Sequence, residues 1–495
     1  MTILGISAGF HDAAATLINR QGDIMFASHS ERYSKQKTDA NISLALLSDI
    51  DISRVDTIAY YERPLFKQLR QLYSGQGIEW NKLTTKQILK HQLGANVVNG
   101  RQIKSFNHHL SHAAAGFQTS KFETATVVVI DAIGEFETTS IYAAEYVNGE
   151  ATYKKLWQQH YPHSIGLFYS AVTDHVGLRP MDEEYILMGM AAYGKPGVSD
   201  IMRMDLIDNE WEIKFKHNLH LGLTAKYLAD FDPFDNEAMA LGAQELAEDL
   251  ILNVMQRARN FKFSDNLVYM GGCALNCAAN ARIGNYFDNV WIMPNPGDAG
   301  SSLGAAALVY GGPLNWTNAY LGHNIPGPYP VNAVLDELLA NQIVGVASGR
   351  AEFGPRALGN RSLLADPRGN DIKDKVNAIK RRQEFRPFAP VILEELADTY
   401  FDMPRGFADS RYMQSIAHCK YPDLFPAIVH ADGTSRVQTV PKDGSGIREL
   451  LEKWFLMTDC PMLLNTSLNV RGEPMVNDRI DADRFENLYN VKVCS

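Results

Sequence analysis

Two blocks of closely spaced strands, each broken by tight turns, constrain this chain more than any other feature. The first block is Thr2–Ala8, Ala13–Ile18 and Ile24–Ser28, with Gly22-Asp23 at a turn. The second is Thr126–Ile130, Thr138–Ala144 and Ala151–Gln158. Each block predicts an antiparallel meander at the edge of an α/β domain, and two in one chain predict a duplicated lobe. No short-period repeat is present. Glu237–Ala258 carries Met239, Leu241, Leu246, Leu250, Ile251, Val254 and Met255 at helical spacing. Leu267–Met270 and Val290–Met293 read as strands, and Ala299–Val309 as a helix of small residues. Gly311–Pro330, rich in Gly, Pro and Asn, predicts a junction, and Gln342–Ser348 opens a new strand. The expected domains are residues 1–325 and 326–495.

The bulk numbers narrow the function. At 495 residues and 45% hydrophobic content, the chain is long enough for two or three domains. Its net charge of −10 disfavours nonspecific nucleic-acid binding, which needs clustered cations. Met1–Leu17 lacks a basic leader segment, and His11 and Asp12 interrupt its apolar run. No run of about 18 apolar residues predicts a membrane span. The five cysteines (Cys273, Cys277, Cys419, Cys460, Cys494) form no CxxC pair. A reducing cytoplasm is the expected setting.

Several constellations point to chemistry. In Asn107-His108-His109-Leu110-Ser111-His112, the i, i+4 pair His108 and His112 projects from one face of a helix, which suits a divalent metal. Asp131 and Asp298 stand where strands end. Two histidines plus carboxylates with open positions suit iron(II) better than a closed structural zinc site; the ordinary alternative is hydrogen-bonded histidines in a polar helix. Gly271, Gly272, Gly297, Gly300 and Gly304 follow strands, where backbone amides can approach phosphate or simply make tight turns. Gly300-Ser301-Ser302-Leu303-Gly304 matches GxSxG, but Ser302 falls inside the small-residue helix rather than at a strand-to-helix elbow, so a packing role is expected. Arg350, Arg356, Arg361 and Arg368, then Lys380, Arg381, Arg382 and Arg386, lie among turn residues, a pattern that suits bidentate phosphate recognition; a surface salt-bridge network is the alternative. Asn465–Asn469 offers uncharged hydrogen bonds to phosphate or an amide-like ligand, or else a turn. Gly9–Asp12, with Glu31-Arg32 and Lys37, presents His11 as a titratable group.

These pieces occur in one order with others. They are Phe10–Ala13, Glu31–Tyr33, His108–Ala114, His163–Gly166, Met188–Gly194, Gly271–Asn276, Asn295–Gly304, Glu352–Arg361, Phe385–Pro390, Asp432–Val440 and Leu464–Asn469. In that order the chain resembles the carbamoyltransferase family of nodulation-factor and antibiotic-tailoring enzymes. The resemblance implies an α/β chain. Its N-terminal domain is actin/sugar-kinase-like, two-lobed and metal-bearing, and its C-terminal domain resembles the threonylcarbamoyl-AMP synthases. The C-terminal domain is expected to form carbamoyl-adenylate from ATP (with magnesium) and carbamoyl phosphate, and the N-terminal domain, holding iron(II), to transfer the carbamoyl group to a hydroxyl. Carried over by position, His108, His112, Asp131 and Asp298 match metal ligands, His11 a general base and Lys37 an active-site lysine. Gly271, Gly272, Asn276, Arg356, Lys380, Arg386, Arg436 and Asn465 match cofactor-binding positions.

The implied acceptor is a small molecule such as a sugar, nucleoside or natural product, with no membrane or nucleic acid involved; a homodimer stays open. Two departures are visible: Gln383 replaces a common Glu, and Ala132 replaces the first glycine of an Asp-Gly-x-Gly-Glu loop. The rival readings are a tRNA-modifying enzyme of the threonylcarbamoyl type and a non-catalytic nucleotide-binding protein.

Overall fold

The computed structural model describes residues 2–223, 231, 234–369, 371–383, 385–386 and 388–495. Met1 of the N-terminal segment and Pro387 of the Phe385–Pro390 motif lie outside the described residues. The chain divides into two units, one of residues 1–30 and 38–317, the other of 31–37 and 318–495. The division after Thr317 falls inside the Gly/Pro-rich stretch, and the second unit also takes Glu31–Lys37 from far upstream.

The first unit is built on two five-stranded sheets. In one, β1 (Ile3–Ser7), β2 (Ala14–Ile18) and β3 (Ile24–His29) form an antiparallel meander. β4 (Thr57–Tyr60) then pairs parallel with β1, Leu4 opposite Ile58, and β5 (Gln102–Ser105) with β4. Helix α1 (His108–Phe117) follows. In the second sheet β6 (Thr124–Ile130), β7 (Glu137–Val147) and β8 (Glu150–His160) repeat the meander. The β7–β8 turn is Asn148-Gly149, both at positive φ, as a two-residue hairpin requires. Helix α2 (Asn236–Asn260) leads to β9 (Asn266–Met270), parallel to β6, and β10 (Asn289–Trp291), parallel to β9. Helix α3 (Ser301–Tyr310) packs against both α1 and β1. Both sheets therefore read third-second-first-fourth-fifth strand, and the duplicated lobe expected from the two meanders is a duplicated five-stranded sheet. β6 is buried from Ala125 onward, as its run of Val and Ile demands.

The second unit centres on a six-stranded mixed sheet. Helix α4 (Val331–Asn341) precedes β11 (Ile343–Ala347), which pairs antiparallel with β12 (Arg361–Ala365). After α5 (Ile372–Lys380) come β13 (Ala389–Leu393), β14 (Gln438–Val440), α6 (Gly446–Thr458), β15 (Met462–Ser467), α7 (Arg479–Tyr489) and β16 (Val493–Cys494). The strand order is β14-β13-β15-β12-β11-β16. Val344, Val346, Leu363, Leu463 and Trp454 lie in its core, and the Trp454 indole donates to the Met462 carbonyl at 3.2 Å. Among the described residues no helix is long and apolar enough to cross a membrane, and all five cysteines are free.

Candidate functional site

Asn107 caps α1 by accepting the Leu110 amide, which fixes the helix start at His108. One turn apart, His108 and His112 bring their Nε2 atoms to 3.1 Å from each other. Asp131, immediately beyond β6, places Oδ2 3.2 Å from His108 Nε2 and 3.6 Å from His112 Nε2. Asp298, ahead of α3, places Oδ1 3.4 and 3.3 Å from the same two nitrogens. One ligand atom from each of the four residues lies within 4.8 Å of the others. A metal with bonds of about 2.1 Å has ligand atoms roughly 3.0–3.4 Å apart along polyhedron edges, so these separations match a coordination shell. The tautomer fits too: the Pro296 carbonyl lies 3.0 Å from His112 Nδ1, so that nitrogen carries the proton and Nε2 offers a lone pair.

Two glycines make the convergence sterically feasible. Gly271 ends β9 at φ +90°, where a Cβ would fall 2.2 Å from the Ile130 carbonyl, and its amide donates to Pro296. The next amide, Gly272, donates to Asp131 Oδ1 at 3.2 Å. Gly304 lets α3 cross α1 so closely that a Cβ would meet the Ser111 carbonyl at 1.7 Å. That crossing sets Asp298 beside the two histidines. Ser302 is buried on the same helix, with its hydroxyl 2.8 Å from that of Thr16 and donating to Ala299, so the GxSxG segment packs. Ser164 clamps the metal loop by donating to the Ala132 carbonyl at 2.7 Å.

The charges are mutually supporting. Burial alone would push the Asp131 and Asp298 carboxyls up, but His108 and His112 hold both below the usual carboxylate range. Burial likewise pulls His108 and His112 down, and the carboxylates outweigh it, so both are raised. His109, turned to Ser140 at 2.9 Å, is driven well below the usual histidine value by burial and by its two neighbours. His11 is pulled down by burial, but Asp12 at 3.0 Å, with Asp298 and Asp131, raises it to about 9.

The other expected site residues divide. Asn276 caps the helix Cys277–Ile283 and exchanges hydrogen bonds with Gln244 at 3.0 and 3.1 Å, so its side chain is committed to structure. Lys37 belongs to the second unit, where it, Arg382 and Arg386 lie close enough to Lys380 to disfavour its charge. Burial, then these cations, push Lys380 well below the usual lysine range. Its amine donates to the Ser467 carbonyl and, at 2.9 and 3.0 Å, to the Asn469 carbonyl and Oδ1, so it fixes the loop after β15. Arg356, Arg386 and Arg436 are half-buried in the same unit. Asn465 is buried on β15, donating to the Ala357 carbonyl (3.1 Å) and Gln438 Oε1 (2.7 Å), which ties β15 to the turn beside Arg356.

Three arginines of the expected phosphate cluster do something else. Arg361 is buried and donates to the carbonyls of His323, Ser348, Gly349, Asn360 and Asn477. Arg350 donates to Leu321 and Gly322, and Arg368 to Asp366 and Thr458. Density of arginine among turn residues marked phosphate binding and backbone bracing alike, because both use the same guanidinium fork.

Glu62 and Glu135 are site neighbours that sequence reasoning missed. Glu62 Oε2 lies 3.4 Å from His108 Nδ1, and Glu135 accepts the His108 amide at 3.3 Å while paired with Arg63. For Glu62 the available signal was an acid just past a strand end, the same one that marked Asp131; Glu135, ahead of β7, carried no such mark.

Residues 2–307 match the carbamoyltransferase N-terminus model and 335–493 the carbamoyltransferase C-terminus model. An uncharacterized protein of Synechocystis sp. is 34% identical over 97% of this chain and 93% of its own length. Nodulation protein NolNO of Sinorhizobium fredii is 30% identical over 95% of this chain and 76% of its own length. Among solved structures, (R)-2-hydroxyglutaryl-CoA dehydratase component A of Acidaminococcus fermentans aligns at TM-score 0.38 and 13% identity, over 63% of this chain and 98% of that one. With family matches across both halves, the chain belongs to the carbamoyltransferase family.

Proposed function

We propose that this carbamoyltransferase is an O-carbamoyltransferase working in two stages. In the first, the second unit converts carbamoyl phosphate, ATP and water to carbamoyl-adenylate, phosphate and pyrophosphate. In the second, the first unit transfers the carbamoyl group to a hydroxyl of a small-molecule acceptor. The observation that carries the reading is the convergence of His108, His112, Asp131 and Asp298 in a chain that matches both carbamoyltransferase models. The repeated strand order agrees with the actin/sugar-kinase-type fold expected for the first unit.

In the second unit, half-buried Arg356, Arg386 and Arg436 supply fixed positive charge to orient a small polyanion, and Lys380 holds the Ser467–Asn469 loop beside Asn465. In the first unit, His108, His112, Asp131 and Asp298 would hold a divalent ion such as iron(II), which would supply Lewis acidity. His11, with Asp12 at 3.0 Å, is the group that would accept the acceptor's proton. Such a base contributes roughly 10²–10⁴-fold in rate. ATP as co-substrate is consistent with a cytoplasmic enzyme.

The test is pyrophosphate release by the full chain with ATP and carbamoyl phosphate. Release is expected to require carbamoyl phosphate and to be abolished by Arg386→Ala. Release that does not depend on carbamoyl phosphate would sink the reading. Mass spectrometry of metabolites incubated with enzyme, ATP and carbamoyl phosphate then identifies the acceptor as a product heavier by one carbamoyl group.

A further inference from the structure

We infer that Glu62 is a positioning residue of the metal centre, orienting His108 from behind. The inference rests on reading the His108–His112–Asp131–Asp298 cluster as a metal site.

Glu62 lies just beyond the end of β4 and is completely buried. The chain there is held on both sides: the Tyr61 amide donates to the Ile6 carbonyl at 3.2 Å, and the Tyr61 carbonyl accepts the Ser111 hydroxyl of α1 at 2.7 Å. That places Glu62 Oε2 3.4 Å from His108 Nδ1, the ring nitrogen opposite the one that faces Asp131. An imidazole ligates through Nε2 only when its remaining proton sits on Nδ1, and an acceptor at Nδ1 fixes that tautomer. With Nε2 given to a metal, that nitrogen would carry no proton. The Nδ1 of His108 makes no hydrogen bond among the described residues, and Glu62 Oε2, 3.4 Å away, is the acid that faces it. His112 has a neutral counterpart in the Pro296 carbonyl. One histidine is thus backed by a carboxylate and the other by a carbonyl, which makes His108 the stronger donor.

Glu62 is itself held in place: Lys67, which lies 3.7 Å above the Phe10 ring, donates to Glu62 Oε2 at 3.2 Å, so the carboxylate is fixed behind His108.

The experiment strips the full-length chain of metal and titrates it with Co²⁺, following the d–d absorption. Glu62→Gln is expected to weaken Co²⁺ binding by roughly 10–100-fold and to shift the visible band, with Glu62→Asp restoring part of both. Wild-type affinity together with a wild-type spectrum in Glu62→Gln would overturn the inference. If that variant does not fold, Glu62→Asp decides the point: relative to wild type it should weaken Co²⁺ binding and shift the visible band by a smaller amount, and wild-type affinity with a wild-type spectrum would overturn the inference. No ATP, carbamoyl phosphate or acceptor is present, so these outcomes are independent of the transfer reaction. Failure of the wild-type chain to bind Co²⁺ would instead remove the metal reading itself.

Discussion

Arg361 shows how one side chain can be committed wholly to the backbone. It lies in the interior of the second unit and serves five main-chain carbonyls, with no carboxylate hydrogen-bonded to it among the described residues. Arg361→Met leaves those oxygens without their donor, and each buried polar group left unpaired costs about 1–3 kcal/mol. The expected loss is at least about 3 kcal/mol in urea unfolding, much more than for Arg381→Met at an exposed position. His11 offers a second test at this scale. With its folded pKa raised to about 9, it stabilises the chelated protein fully below the unfolded value near 6.5, and that contribution fades as pH rises through about 9. NMR titration of the chelated chain should therefore place the His11 midpoint well above an ordinary histidine, and Asp12→Asn should lower it. A midpoint unmoved by Asp12→Asn would show that the 3.0 Å contact does not hold the proton.

At the scale of elements, the metal site is a consequence of how α3 crosses α1. Histidine spacing on one helix aligns two ligands, but Asp298 reaches them only because Gly304 lets the Ser111 carbonyl approach. Gly304→Val forces the helices apart and should cost about 1–3 kcal/mol or more as overpacking. It should also leave the purified protein short of metal by elemental analysis, although residue 304 is no ligand. Normal metal content in a folded Gly304→Val chain would show that Asp298 is placed by its own loop. The strands were legible beforehand for a local reason: meander strands alternate with turn residues over a few positions, and Asn148-Gly149 announces its hairpin. The pairing of β6 with β9 was not legible, because α2 and more than a hundred residues intervene and periodicity carries no information about partners that distant.

At the scale of the molecule, the second unit is not continuous in sequence. Glu31–Lys37 belongs to it: Arg32 is buried and donates to the Gly354 carbonyl at 2.9 Å, and Lys35 pairs with Asp481. Residues 318–495 produced alone should therefore unfold at lower temperature than the same segment with residues 31–37 fused to it, as circular dichroism would show. Equal melting temperatures would mean that the upstream segment contributes nothing to that unit's stability.

The sequence by itself determined the two meanders, the pair of histidines on one helical face, the acids at strand ends and the ordered motifs of a carbamoyltransferase. All of these are written in spacings of a few residues or in motif order. Only the tertiary structure decided that Arg361 braces backbone rather than phosphate, that Glu62 stands behind His108, and that Glu31–Lys37 serves the distant unit. Those outcomes depend on which groups meet across tens to hundreds of residues. A side chain's chemistry lists the partners it can take; the fold chooses among them by bringing one within hydrogen-bonding distance and excluding water from the rest.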